Sequence, residues 1–233
     1  MSLVFEASPT VTVPVVGRED LFPVHRIYCV GRNYAAHARE MGKDPDRDPP
    51  FFFCKPADAI ILDGEAVPYP PRTSNLHHEI ELVVAIGEGG ANIPEGQAEE
   101  HIFGYAVGND ITRRDLQLQA RESGRPWDTG KAFDFSAAIA PIYPVSDYGH
   151  VREGEIVICV DGEVRQEADI RDLIWDVPEI VAELSTLFTL KPGDLIYTGT
   201  PAGVGAVEPG QTMVGRIAGL GELTNTVVAV RSP

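Results

Sequence analysis

Glycine and proline interrupt this chain so often, 23 and 19 times in 233 residues, that long helices have little room. Proline fixes φ and removes a backbone donor, while glycine supplies the left-handed turns that other residues resist. The pattern therefore favours short strands joined by tight turns. Hydrophobic residues are 43% and charged residues 23% of the chain, which are globular proportions, and the length allows a substantial core without external staples. The expectation is an α+β, β-rich fold. Residues 1–22 hold short β-type runs such as Val11 to Val16, broken by Pro9 and Pro14. They read as an N-terminal arm packed on a main domain spanning 23–233.

Lys and Arg number 19 against 35 Asp and Glu, a formal net charge of -16. That field repels phosphate backbones and anionic lipid, so nucleic acid and membrane surfaces are poor partners. The acidity has two ordinary origins, a solvated surface or carboxylates gathered around a divalent cation. Cys29, Cys54 and Cys159 are an odd count without C-x-x-C spacing, and two of them lie in apolar runs that read as strands. Buried reduced thiols are expected. No apolar stretch approaches a transmembrane length, and the first residues lack the basic-then-apolar layout of a secretory signal, which points to the cytoplasm.

Along the chain, His25 to Gly31 reads as a buried strand running into a helix from Asn33 to Met41 that Gly42 stops. Gly42 to Pro50 is too polar and proline-rich to pack internally and reads as an exposed loop, usable as a lid. Phe51 to Lys55, Glu79 to Ile86 and Gly104 to Asn109 read as strands, Pro94 to His101 as a short helix. Thr112 to Ser123 reads as a helix capped by Thr112 with Asp115 three residues on. Asp161-Gly162 between two β-type runs signals a hairpin, and Pro178 to Leu187 an amphipathic helix. From Lys191 the chain reads as strands and glycine turns, ending in an Asn225 to Val230 strand.

The chemistry concentrates in His77-His78-Glu79-Ile80-Glu81-Leu82-Val83-Val84. On a strand, residues i and i+2 share a face, so Glu79 and Glu81 emerge side by side within an apolar run. Either that face meets water, or the pair needs a shared cation or proton, because unpaired buried charge is costly. Asp110 ends a second apolar strand just before a helix start, as a cap or as a third ligand. Three carboxylates suit a hard cation such as Mg²⁺ or Mn²⁺ better than a structural Zn²⁺. His37 and Glu40, three apart on a helix, are either a surface pair or a carboxylate orienting an imidazole that acts as base. Lys131, flanked by glycine and aromatic residues, is either solvated or held against an anion. The Thr198-Gly199-Thr200-Pro201 turn offers hydroxyl and N–H donors. No G-x-S-x-G elbow, H-E-x-x-H helix, P-loop or complete dinucleotide fingerprint is present, which weakens serine hydrolase and NAD enzyme as readings.

From about Arg26 to Val230 these blocks resemble, in order, the fumarylacetoacetate hydrolase family, particularly its short acylpyruvase-type members. The blocks are Gly31-Arg32-Asn33-Tyr34 with His37 and Glu40, Phe53-Cys54-Lys55-Pro56, His78-Glu79-Ile80-Glu81-Leu82, Asn109-Asp110-Ile111-Thr112-Arg113-Arg114-Asp115, Lys131, the Asp161-Gly162 hairpin, and Thr198 to Gly205. The resemblance implies a mixed β-sandwich or β-roll with a few peripheral helices, assembled as a homodimer. It implies one divalent cation per subunit, Mg²⁺ or Mn²⁺ with Ca²⁺ also compatible, on Glu79, Glu81 and Asp110. Longer members add an upstream Asp; no acid immediately precedes His37, which leaves three protein ligands. It assigns His37 and Glu40 to a water-activating dyad on a lid helix, Lys131 to substrate binding and polarisation, and Arg32, Gln117 and Thr200 to supporting contacts. The implied reaction is hydrolysis of a carbon–carbon bond in a β-diketo acid, foremost fumarylpyruvate to fumarate and pyruvate in gentisate-type aromatic catabolism. Rivals on the same site are decarboxylation of an α-keto acid such as oxaloacetate and isomerisation or decarboxylation of an unsaturated diacid. A rival of another class is a non-catalytic metal-binding dimer.

Overall fold

The computed structural model describes residues 3–35 and 48–229. Among them the dense glycine and proline punctuation yields short elements: the longest strand, Ile102–Asp110, has nine residues and the longest helix, Val177–Leu187, has 11. An eight-stranded mixed sheet runs in the order Phe51–Lys55, Ile27–Gly31, Leu195–Tyr197, Ile80–Ile86, Ile102–Asp110, Ala137–Ile139, Ile60–Leu62, with Tyr143–Pro144 also paired to Ile102–Asp110. A five-stranded sheet is ordered Glu163–Asp169, Glu155–Val160, Thr212–Ile217, Glu222–Val228, Val67–Pro68. This β-rich, curled arrangement with few helices is the fold class expected.

The Ile80–Ile86 strand is buried along its whole length. Ile80, Leu82, Val84 and Ile86 enter a core shared with the five-stranded sheet, whereas Val83 and Ala85 enter a second core with Val13, Val15 and Phe22. A strand buried on both faces must be almost continuously apolar, which explains its composition. Glu81, on the side of Val83 and Ala85, is therefore a carboxyl almost wholly removed from bulk water. Gly215 lets the two sheets approach, since a Cβ there would overlap the end of Ile80. Thr12–Pro14 pairs antiparallel with Leu21–Pro23 and is tied to the body where Val16 N–H donates to Ile142 O at 2.9 Å.

The Asp161-Gly162 turn has φ of 52° and 86°, the doubly positive geometry of a two-residue hairpin. Three local expectations need correction. Thr112 does not cap a helix; it pairs with His77 in a small three-stranded sheet, and the helix starts at Arg114, while Asp115 accepts from Thr73 Oγ1 at 2.7 Å. The strand expected from Glu79 begins at Ile80, with Glu79 in the break before it, whereas the short helix expected over Pro94 to His101 is present as the 3-10 helix Glu95–His101. Cys54 is exposed although Cys29 is buried, because the Phe51–Lys55 strand lies at the edge of its sheet. No helix among the described residues is long and apolar enough to cross a membrane.

Candidate metal and substrate site

The chain passes from the three-stranded sheet, at Leu76–His78, to the eight-stranded one, at Ile80–Ile86, and Glu79 occupies the break. Backbone bonds hold it there: its N–H donates to Asn109 Oδ1 and its carbonyl accepts from Asp110 N–H, both at 2.8 Å. Because Ile80 pairs with Asn109 and Glu81 with Gly108, the register brings Asp110 beside the two glutamates. One ligand oxygen from each of Glu79, Glu81 and Asp110 lies within 4.8 Å of the others, and all three residues are buried.

Cations surround this cluster. Lys131 Nζ lies 2.6 Å from both Glu79 Oε2 and Asp110 Oδ2 and donates to Thr112 Oγ1 at 2.7 Å. Burial opposes the Lys131 charge, but Asp110 and Glu79 outweigh it and hold the ammonium above its ordinary value. Lys55 Nζ is 2.8 Å from Asp110 Oδ1, an ion pair without hydrogen-bond alignment, so this oxygen has no hydrogen-bond partner among the described residues. Arg114 pairs with Glu79 and also donates to Gln117 Oε1. Glu81 stands apart: it makes no ion pair among the described residues, and Gly199 N–H donates to its Oε2 at 2.8 Å. Its carboxyl is pushed well above the ordinary value by burial, then by the negative Asp110 and Glu79. Gly199 reaches it with a φ of +103°, where a Cβ would crowd Asn33.

Three converging buried carboxylates, one without an ion pair and one with an oxygen lacking a hydrogen bond among the described residues, fit a hard divalent cation. Glu79, Glu81 and Asp110 would hold it.

One pocket is lined by Arg32, Glu79, Glu81, Asp110, Gln117, Lys131 and Thr200, together with Phe53, Arg114, Trp127 and the Val30-Gly31 backbone. Arg32 sits there with a positive φ of 62°, and its guanidinium charge is disfavoured by burial and by the neighbouring Arg121. Such a crowded cation gains from an anion. His37 and Glu40, the lid helix beyond Ala35 and most of the 42–50 loop lie outside the described residues.

Sequence reasoning gave no role to Lys55, Arg114 or Gln166. Gln166 is 1% exposed on an otherwise largely exposed strand; its Nε2 donates to Thr200 Oγ1 and Pro201 O at 2.7 Å, and its Oε1 accepts from His78 Nδ1 at 2.8 Å. With Oγ1 accepting from Gln166, the Thr200 hydroxyl hydrogen is left to donate elsewhere. No local signal marks Gln166, because its partners lie 34 and 88 residues away.

Fold and site together define a class: β-rich proteins that hold a hard divalent cation on buried carboxylates beside a cationic pocket. The chain belongs to the fumarylacetoacetate hydrolase family, with residues 26–228 matching its fumarylacetoacetate (FAA) hydrolase C-terminal domain. It is 49% identical over 189 residues to the fumarylpyruvate hydrolase of Ralstonia sp, spanning 80% of this chain and 98% of that protein. The crystal structure of fumarylpyruvate hydrolase from Pseudomonas aeruginosa in complex with Mn²⁺ and pyruvate superposes with a TM-score of 0.96 at 58% identity, covering 98% of this chain and 100% of that one. The mitochondrial oxaloacetate tautomerase FAHD1 of Arabidopsis thaliana is 40% identical over 198 residues, 85% of this chain and 88% of that protein.

Proposed function

We propose that this protein is a divalent-cation-dependent hydrolase that cleaves the carbon–carbon bond of an acylpyruvate, fumarylpyruvate to fumarate and pyruvate. The observation that carries this reading is the buried carboxylate trio within one pocket that also holds Lys131, Arg114 and Arg32. The relatives above supply the substrate class.

The bound Mg²⁺ or Mn²⁺ would supply Lewis-acid polarisation of the substrate's dicarbonyl oxygens. His37, oriented by Glu40, takes a proton from water, whose oxygen bonds to the distal carbonyl carbon. As the tetrahedral centre collapses, the carbon–carbon bond breaks, its electron pair leaves as the enolate of pyruvate, and the acyl half departs as a carboxylic acid. The proton returned to the enolate carbon completes pyruvate, so substrate plus water balances the two products. Lys131 and Arg114 place positive charge beside the oxygens on which negative charge develops. Arg32, Gln117 and the Thr200 hydroxyl orient the keto-acid end.

The residues before Pro23 serve as an arm on a single catalytic domain. The family resemblance supports work as a homodimer in the cytoplasm, in aromatic catabolism, and light scattering on the purified protein tests the dimer. The tautomerase relative makes oxaloacetate the second substrate to try. Metal-free protein mixed with fumarylpyruvate, with and without added Mn²⁺, tests the reaction directly. Metal-dependent loss of the conjugated diketone absorbance with fumarate and pyruvate as products is expected; turnover of oxaloacetate alone would overturn it. His37→Ala should lower kcat by at least about 100-fold with Mn²⁺ affinity retained.

A further inference from the structure

The carboxylate pocket, lined by Glu79, Glu81, Asp110, Arg32, Gln117 and Thr200, is taken up by the cation and the keto-acid end, so the acyl arm of an acylpyruvate must extend beyond it. Next to it lies a cleft of about 410 Å³ that shares Phe53, Trp127 and Lys131 with the pocket and is walled further by the rest of the 51–54 strand segment and by Arg125, Pro126 and Asp128. The wall is aromatic. Phe51 and Trp127 meet edge-on at 4.9 Å between centroids, Phe53 and Trp127 lie at 5.8 Å, and the Lys131 ammonium is 5.2 Å from the Phe53 ring centre. Phe51 remains 42% exposed, an apolar surface left in water at the mouth of a site and hence available to a flat ligand.

The charged side chains lining this cleft are Lys131, Asp128 and Arg125, beside the Cys54 thiol, whose ionisation burial opposes. Lys131 is committed to Glu79 and Asp110, and Asp128 would repel an anion. Arg125 is exposed on the rim, a planar cation suited to a carboxylate. We propose that the cleft is the acyl-arm subsite and that Arg125 selects flat acyl arms ending in a carboxylate over neutral ones. This rests on the hydrolase reading and extends it to the choice of acyl group.

The test compares kcat/KM for fumarylpyruvate, whose arm ends in a carboxylate, with that for acetylpyruvate, whose arm is a methyl group, using the full chain with Mn²⁺. Arg125→Gln should lower the fumarylpyruvate-to-acetylpyruvate ratio about 10- to 100-fold, mainly through KM for fumarylpyruvate, as expected for a charge-assisted contact. Arg125→Lys should restore part of it. Arg216→Gln, the same charge change on a strand of the five-stranded sheet, should leave the ratio at the wild-type value, which separates local recognition from the general field. An unaltered ratio in Arg125→Gln, or an equal fall in Arg216→Gln, overturns the subsite while the hydrolase reading stands. A wild-type protein that turns over neither substrate overturns the hydrolase reading and the subsite with it.

Discussion

Glu81 carries the sharpest consequence of any single residue here. It is 2% exposed, lies in a strand buried on both faces, and has its carboxyl pushed well above the ordinary value by burial and by two like charges. A divalent cation reverses that balance, because opposite charge in a low-dielectric site outweighs desolvation when the geometry converges. Glu81→Gln keeps the shape and the capacity to accept from Gly199 N–H but removes the charge. Calorimetric titration with Mn²⁺ should show affinity reduced by about 100-fold or more; wild-type affinity in this variant would remove Glu81 from the ligand set. The pairing of Glu79 with Glu81 was legible because a spacing of two is a local relation, although Glu79 lies in the break just before the strand that carries Glu81. Lys55 and Arg114 were not legible as partners of Asp110 and Glu79, since nothing local to a lysine or arginine says which distant carboxylate it will meet.

At the scale of elements, Asn33 fastens three segments around the pocket. Its Nδ2 donates to Trp175 O at 2.9 Å and Thr198 O at 2.8 Å, and its Oδ1 accepts from Trp175 N–H at 2.8 Å. It thus joins the end of the Ile27–Gly31 strand, where Arg32 is held at positive φ, to the loop before the Val177–Leu187 helix and to the turn carrying Gly199 and Thr200. Asn33→Ala removes these three buried or part-buried bonds and should destabilise the fold by about 2–4 kcal/mol in urea unfolding. Thr112 teaches the complementary lesson. Its capping pattern with Asp115 is real as a sequence signal, but pairing with His77 holds Thr112 in a strand and Thr73 takes Asp115, so tertiary contacts displaced the local cap.

For the whole molecule, metal and fold stability are linked. A ligand that binds the native state alone adds about 2.7 kcal/mol at a free concentration 100 times its Kd. For a domain of this size that corresponds to a rise in Tm of roughly 5–10 °C. Mn²⁺ added to metal-free wild type should produce this shift by differential scanning fluorimetry, and the shift should be largely lost in Glu81→Gln. Equal shifts in both proteins would mean that the cation acts elsewhere. The ligands join two neighbouring strands of the eight-stranded sheet, and the break that leads into one of them, to the turn at Gly199, so one ion braces parts of the chain that are far apart in sequence.

The sequence by itself determined the short-stranded β-rich character, the Asp161-Gly162 hairpin, the side-by-side glutamates and the pool of candidate ligands, because each depends on φ preferences or on spacings within a few residues. Only the tertiary structure decided that the Ile80–Ile86 strand is buried on both faces, that Cys54 lies on an edge, that Lys131 sits between Glu79 and Asp110, and that Gln166 reaches Thr200. Those outcomes depend on strand order and register across tens of residues and, for the Ile80–Ile86 strand, more than 100, and backbone hydrogen bonds are nearly the same for every pairing, so the choice is made by how side chains from distant segments fill one another's space.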